Sequence, residues 1–267
     1  MSASFKEIIL SRFFTFVVGV DAVPIAVHEA TLADQSPELA ALMRGKMSES
    51  LAAEARWEDV DTETFIRFAQ FAYTGDYTAP QMLIEETHTI HSIESSWELP
   101  PMKKVGKKSS PYPTKPIPSF KNLSYPIPMP RFNFAITWKP TVLEGPSQNI
   151  EEILIIHASL YILGEKWGIE RLKQLALFKI HKSLCLFSLD IPKLEHIVMF
   201  VRYAYERTPD LRTKLDGLRE LICHYIGTNT RLTAEGTTFL ALIEEGGAFT
   251  RDLWKLVAPM AGAVELI

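Results

Sequence analysis

The stretch Phe65 to Tyr77, FIRFAQFAYTGDY, sets Phe65, Phe68, Ala69 and Ala72 at i, i+3, i+4 and i+7. That spacing is one face of an α-helix packed on a core. Asp61 stands where an N-cap belongs, Glu63 favours the first turn, and Gly75 ends the helix. Upstream, Phe14 to Val18 and Ile25 to Val27 are β-branched and aromatic runs separated by Gly19, Asp21 and Pro24, which predicts a hairpin. His28 to Asp34 and Pro37 to Met43 read as short helices, the second with Ser36 as N-cap and Pro37 at its first position. Arg56 to Val60 reads as a third strand.

Downstream the chain turns helical. Asn149 with Glu152 three residues on has the form of a capping box. Ile153, Ile156, His157, Leu160 and Gly164 then share a face, and Leu154, Ala158 and Tyr161 fill much of the other, as in a buried helix. After Gly168, the residues Ile169, Leu172, Ala176 and Ile180 begin another helix. Further helices are predicted through Leu194 to Tyr205, Leu211 to Tyr225, Phe239 to Ile243 with Gly246 as cap, and Phe249 to Val257.

Between these halves the composition changes. Pro100 to Ile150 holds 11 of the 17 prolines, and eight cations face the single acid Glu144, a surplus of +7. The overall −4 therefore hides −11 on the rest of the chain. Proline removes a donor and disfavours helix in the residue before it, so no helix or central strand is expected here, only extended or mobile chain.

The 267 residues, 47% hydrophobic and 22% charged, are close to globular averages, which excludes wholesale disorder and fibrous classes. The longest nearly uncharged apolar stretch, Ile153 to Gly164, is far short of the roughly 20 residues that span a bilayer. Met1 to Phe14 lacks the apolar run and cleavage site of a secretory signal. Cys185 and Cys223 alone do not make a disulfide framework. The expected compartment is reducing, cytoplasmic and/or nuclear.

Taken in order, these stretches resemble the BTB/POZ domain, and specifically the fungal proteins with a single such domain and a C-terminal helical region. Val27-His28-Glu29-Ala30-Thr31-Leu32 through Ser36-Pro37-Glu38-Leu39 is similar to the family's second strand and first helices. Phe65 to Tyr77 is similar to its helix and YTGDY turn, and His157-Ala158 through Leu175-Ala176 to its later helix pair. Val201 to Asp210, Leu218 to Leu221 and Glu244 to Phe249 resemble the C-terminal region. The resemblance implies an α+β, mainly α fold: a BTB/POZ-like domain over 10–187, interrupted at about 85–149 by a disordered basic insert, then a helical region at 188–267. The chain departs from the pattern in three places. Glu29 replaces the usual basic residue, Leu39 the usual aromatic, and Ser11-Arg12-Phe13-Phe14 has no match for an acid before the first strand.

No phosphate loop, nucleophile elbow or H-E-x-x-H helix is present, and the chain reads as non-catalytic, without cofactor or metal. His181 with Cys185, and Cys223 with His224, are the nearest approach to a zinc set; their helical setting favours packed side chains. His28 and His157 read as packed, hydrogen-bonded positions, and His88 and His91 as solvated ones. Relatives act by binding proteins and many dimerise, which implies homo- or hetero-association, with Phe13, Phe14 and Leu32 on the candidate dimer face. Some bridge a cullin ubiquitin-ligase scaffold through a hydrophobic-x-acid triplet after the turn. Leu83-Ile84-Glu85 and Ile84-Glu85-Glu86 have that form, making Leu83, Ile84, Glu85 and Glu86 candidate partner-binding residues. Lys103, Lys104, Lys107 and Lys108 form a candidate nuclear-import or nucleic-acid patch, the basis of an alternative reading as a nuclear regulator. Four lysines without interleaved aromatics fit a solubilising linker better, so nucleic acid is not an expected partner. Thr208-Pro209 and Ser110-Pro111 have the form of phosphorylation sites.

Overall fold

The computed structural model describes residues 4–80, 82–84, 119–125, 138–140, 142–144, 149–211 and 214–261, with backbone alone at 82–84, 142–144 and 259–261. A short helix α1 (Phe5–Leu10) leads into β1 (Phe13–Val18) and β2 (Val23–His28). Then come α2 (Glu29–Ala33), α3 (Pro37–Arg44), α4 (Ser48–Ala52), β3 (Glu54–Trp57) and α5 (Thr62–Thr74). The sheet order is β2-β1-β3, with β1 antiparallel to β2 and parallel to β3. Pro24 lies inside β2 rather than before it, opposite Val17. An edge strand accommodates a residue without an N–H.

β3 sits two to three residues earlier than the predicted Arg56 to Val60. Its register is set by β1, with Thr15 opposite Glu54 and Val18 opposite Trp57. The chain then turns, so that Asp61 accepts the amide of Thr64 and opens α5. Gly75 closes α5 at φ 82°, a left-handed conformation that costs a side-chain-bearing residue most. Ser36 caps α3 through the Leu39 amide.

A parallel pair sets β4 (Met82–Ile84), which precedes the proline-rich stretch, beside β5 (Val142–Glu144), which lies within it. Beyond it run α6 (Ile150–Lys166), α7 (Glu170–Leu186), α8 (Leu194–Arg207), α9 (Gly217–Thr228), α10 (Thr230–Glu235), α11 (Thr237–Glu244) and α12 (Gly247–Ala261). Asn149 stands at the N-cap of α6, but its side chain makes no capping bond, and the Glu152 box does not form. α9 starts at Gly217, six residues after Leu211, because the Asp216 carboxylate caps the Leu218 and Arg219 amides.

The apolar side chains form two clusters. One gathers Phe14, Phe16, Leu32, Leu39, Trp57, Phe65 and Phe68 with Leu160 and Leu163 of α6 and Leu172 and Leu175 of α7. The other takes Ile153, Leu154, Ala158 and Tyr161 of α6 and Ala176, Ile180 and Leu184 of α7, packed against α8, α9, α11 and α12. Both helices are buried on more than one side, as their sequences require.

Between Pro100 and Ile150 the described chain is extended at β5, and it adds one local turn that proline content did not foretell. β5 lies within that span, and Phe120–Asn122 forms a 3-10 turn whose Phe120 ring is buried in the second cluster. Proline content governs backbone options but says nothing of what the intervening aromatics can bury. Lys103, Lys104, Lys107, Lys108, His88, His91, Ser110 and Pro111 lie outside the described residues.

Candidate interaction surfaces

α1 is held by a capping box, with the Ser4 hydroxyl accepting the Glu7 amide and the Glu7 carboxylate accepting the Ser4 amide. It buries Ile8 only. Phe5 is 75% exposed, Leu10 73%, and Ile9 is exposed as well; three residues on, Phe13 is 61% exposed. Of the candidate dimer-face residues, Phe13 alone reaches solvent. Phe14 and Leu32 are wholly buried in the first cluster and serve the chain's own core. Alternation explains the split, because neighbouring residues of a strand face opposite ways.

Beside this face Glu29 is clamped by two arginines. Arg12 pairs with one carboxylate oxygen and Arg44 Nε lies 2.8 Å from the other, while Arg12 also donates to the Met43 carbonyl at 2.6 Å. Burial works to raise the Glu29 pKa, but hydrogen bonds and charge from Arg12 and Arg44 win and hold it below the ordinary value. Two of the departures noted in sequence therefore meet in one ion pair, between Arg12 and Glu29.

The YTGDY turn reaches a polar knot between α5, α6 and α7. Lys179 is fully buried and its ammonium lies 2.6 Å from Asp76 Oδ1, donates to the Tyr77 carbonyl and sits 4.0 Å from the centre of the Tyr77 ring. The Tyr77 hydroxyl is 2.8 Å from His157 Nδ1. Trp138 covers the knot, 5.0 Å from the Lys179 ammonium and edge-on to His157 at 6.0 Å. Burial lowers the Lys179 pKa against the opposing pull of Asp76. Tyr77 and His157 stand out singly in the sequence. Lys179 carries a fainter signal, a lysine on the buried stripe seven residues after Leu172.

Burial, with Lys179 and Arg67 nearby, drives His157 well below its usual 6.5, so the folded form is neutral. The unfolded chain takes up this proton first. The contribution of His157 is thus complete above about pH 6.5 and is withdrawn as pH falls from there towards the depressed folded value. His181, lowered by burial, acts in the same direction. Unfolding free energy is expected to decline from pH 7 to pH 5, and His157→Gln to flatten that slope in urea titrations. Parallel slopes in the two proteins would reject the assignment.

The remaining candidates sort quickly. His181 Nε2 lies 2.8 Å from the Phe120 carbonyl and 3.5 Å from Cys185 Sγ, and Cys223 Sγ lies 3.3 Å from the Tyr205 hydroxyl. Among the described residues no three His, Cys, Asp or Glu side chains gather as a metal site. Thr208 is buried, donating to the Ala204 carbonyl and accepting from Arg219 Nε. An open cleft of about 830 Å³ at the heads of α5 and α6 is lined by Arg67, which pairs with Glu63 one turn back on α5, and by His196, whose Nδ1 lies 3.1 Å from Glu151 Oε2. Leu83 and Ile84 lie in β4, while Glu85 and Glu86 lie outside the described residues. Among the described residues no helix is long and apolar enough to cross a membrane.

Residues 5–109 match the family model of the BTB/POZ domain. No curated protein is matched by the sequence. The small three-stranded sheet with its flanking helices is the fold of that domain, here followed by a helical extension.

Proposed function

We propose that this chain, which carries a BTB/POZ domain and so a protein–protein interaction module over residues 5–109, self-associates through α1 and the head of β1. We further propose that it serves as an adaptor for a cullin ubiquitin ligase. The observation that carries self-association is the run of exposed apolar side chains Phe5, Ile9 and Leu10 on α1, which anchors itself by Ile8 alone, continued by Phe13 at the head of β1. Scattered single apolar residues on a surface are ordinary, whereas several in one short stretch mark a surface that is covered in use. The Arg12, Glu29 and Arg44 group beside it supplies oriented charge that selects partners more than it adds affinity. The adaptor role is supported by the hydrophobic-x-acid form of Leu83-Ile84-Glu85 after the turn.

Sedimentation over a dilution series is expected to give a two-chain mass that Leu10→Asp converts to one folded chain whose melting temperature no longer depends on concentration, since Leu10 packs little within the monomer. A dimer that survives both Leu10→Asp and Phe13→Asp removes this face from the account. Affinity capture from cell extract tests the adaptor role separately. Cullin recovered with the wild type and reduced by Glu85→Ala supports it, and no cullin in either fraction rejects it while leaving self-association standing.

A further inference from the structure

Between the 3-10 turn at Phe120–Asn122 and the last turns of α7 and α9 lies a cavity of about 310 Å³, separate from the cleft at the heads of α5 and α6. Its apolar wall is made by Phe120, Leu184, Phe187, Leu189 and Tyr225. That wall is fixed before anything enters. Phe120 is buried in the second cluster, its ring stands edge-on to Tyr225 at 5.0 Å, and its carbonyl accepts from His181 Nε2 at 2.8 Å. The volume is at the low end of small-molecule sites, roughly 300 to 1,000 Å³, and equals the share of about ten waters in the liquid.

Tyr225 supplies the observation that points to a ligand. It is 5% exposed. The side-chain hydrogen bonds that reach it, from Thr228 and Asn229, end on its carbonyl, and among the described residues its hydroxyl meets no partner. Buried polar groups are hydrogen-bonded as a rule. The hydroxyl is not sealed inside the packed core either, and the space that Tyr225 lines is the cavity.

Charge decides the class of ligand. Burial first, and Cys185 second, hold the Tyr225 phenol above its usual 10, so it presents a proton at any ordinary pH. Burial also keeps the Cys185 thiol, which lines the same space, protonated against the pull of Lys182 and Lys121. Lys121 is exposed, with its charge in water. Among the described residues no carboxylate lines the cavity. The interior therefore holds no fixed charge to pair an ion, and burying an unpaired ion is costly.

We infer that this cavity is a binding site for a small uncharged aromatic molecule, whose ring packs on Phe120, Leu184, Phe187 and Leu189 and whose oxygen or ring nitrogen accepts a hydrogen bond from the Tyr225 hydroxyl. The site belongs to the helical extension and the turn seated on it. It stands apart from the α1 face and from β4, and needs neither self-association nor a cullin.

The test uses the full chain and 2-naphthol, a fluorescent bicyclic that the volume admits. Saturable binding is expected, with a Kd on the order of 0.1 mM. Tyr225→Phe, which keeps the ring, is expected to weaken it about three- to tenfold without lowering the melting temperature, since the lost hydroxyl holds nothing in the fold. Leu189→Trp, which fills the space from a half-buried position, is expected to abolish it. The charged counterpart, 2-naphthoate, is expected to bind at least about tenfold more weakly. In wild type, 2-naphthol is expected to slow alkylation of Cys185 by iodoacetamide, read by peptide mass spectrometry. Binding that Tyr225→Phe leaves unchanged overturns the inference, as does equal binding of 2-naphthoate or no saturation at about millimolar 2-naphthol. A lowered melting temperature in Tyr225→Phe overturns it too, because the hydroxyl would then serve the fold through a bound water. Should Leu189→Trp not fold, the Tyr225→Phe comparison and the protection of Cys185 decide alone.

Discussion

Asp76→Ala is expected to lower the unfolding free energy by about 3 kcal/mol, the low end of the range for breaking a buried ion pair from one side. The reason is asymmetric exposure. Lys179 is 0% exposed and Asp76 28%, so losing the carboxylate strands a cation that water cannot reach, whereas losing the cation leaves an anion that water can. Lys179→Met should therefore cost clearly less, its unbranched side chain filling the same volume among Tyr77, Trp138 and His157. In the Lys179→Met background, Asp76→Ala should have little further effect, because no charge remains to be stranded. Urea unfolding of the four proteins decides the matter. A Lys179→Met variant less stable than Asp76→Ala would show that the ammonium, and not its desolvation, dominates the knot.

Trp57→Ala is expected to cost about 3 to 5 kcal/mol, the range for truncating a large buried aromatic. The indole closes the first cluster on several sides. Its ring centre is 4.8 Å from Phe16 and 5.6 Å from Phe65, both edge-on, and it stacks on Trp167 at 4.8 Å and 15°. The last contact joins β3 to the end of α6 and makes the loss more than local. Trp167→Ala, at a half-buried site, should cost less, and the two substitutions should couple by about 0.5 to 1.5 kcal/mol, the usual worth of an aromatic pair. Equilibrium unfolding of both single variants and the double variant gives the coupling. A cost under about 1.5 kcal/mol for Trp57→Ala would mean that the cluster closes up around the vacancy.

Local pattern carried the sequence reading wherever a residue's fate depends on neighbours three or four positions away. The caps at Ser36, Asp61 and Gly75 are of this kind, as is the all-round apolar character of α6. The capping box of α1 is equally legible in Ser4-Phe5-Lys6-Glu7, but a six-residue helix offers no periodicity to accompany it. Phe14 and Leu32 show the opposite limit, since an apolar residue suits a core and an interface alike and only the packed chain tells them apart. The knot was out of reach for a different reason. Asp76, Trp138, His157 and Lys179 meet across some hundred positions, and no spacing rule links them. Arg12 and Glu29 show the same point in reverse, as two apparent losses of family charge that compensate each other in space.

α6 and α7 serve both clusters at once, giving Leu160, Leu163, Leu172 and Leu175 to one and Ile153, Leu154, Ala176 and Ile180 to the other. The boundary of the matched family segment at residue 109 is consequently no seam in the molecule. A gene fragment ending there would carry every strand of the three-stranded sheet yet leave Trp57, Phe65 and Phe68 without the leucines that roof them. A piece of the chain that stops short of α6 and α7 is therefore expected to expose the first cluster rather than fold as a unit.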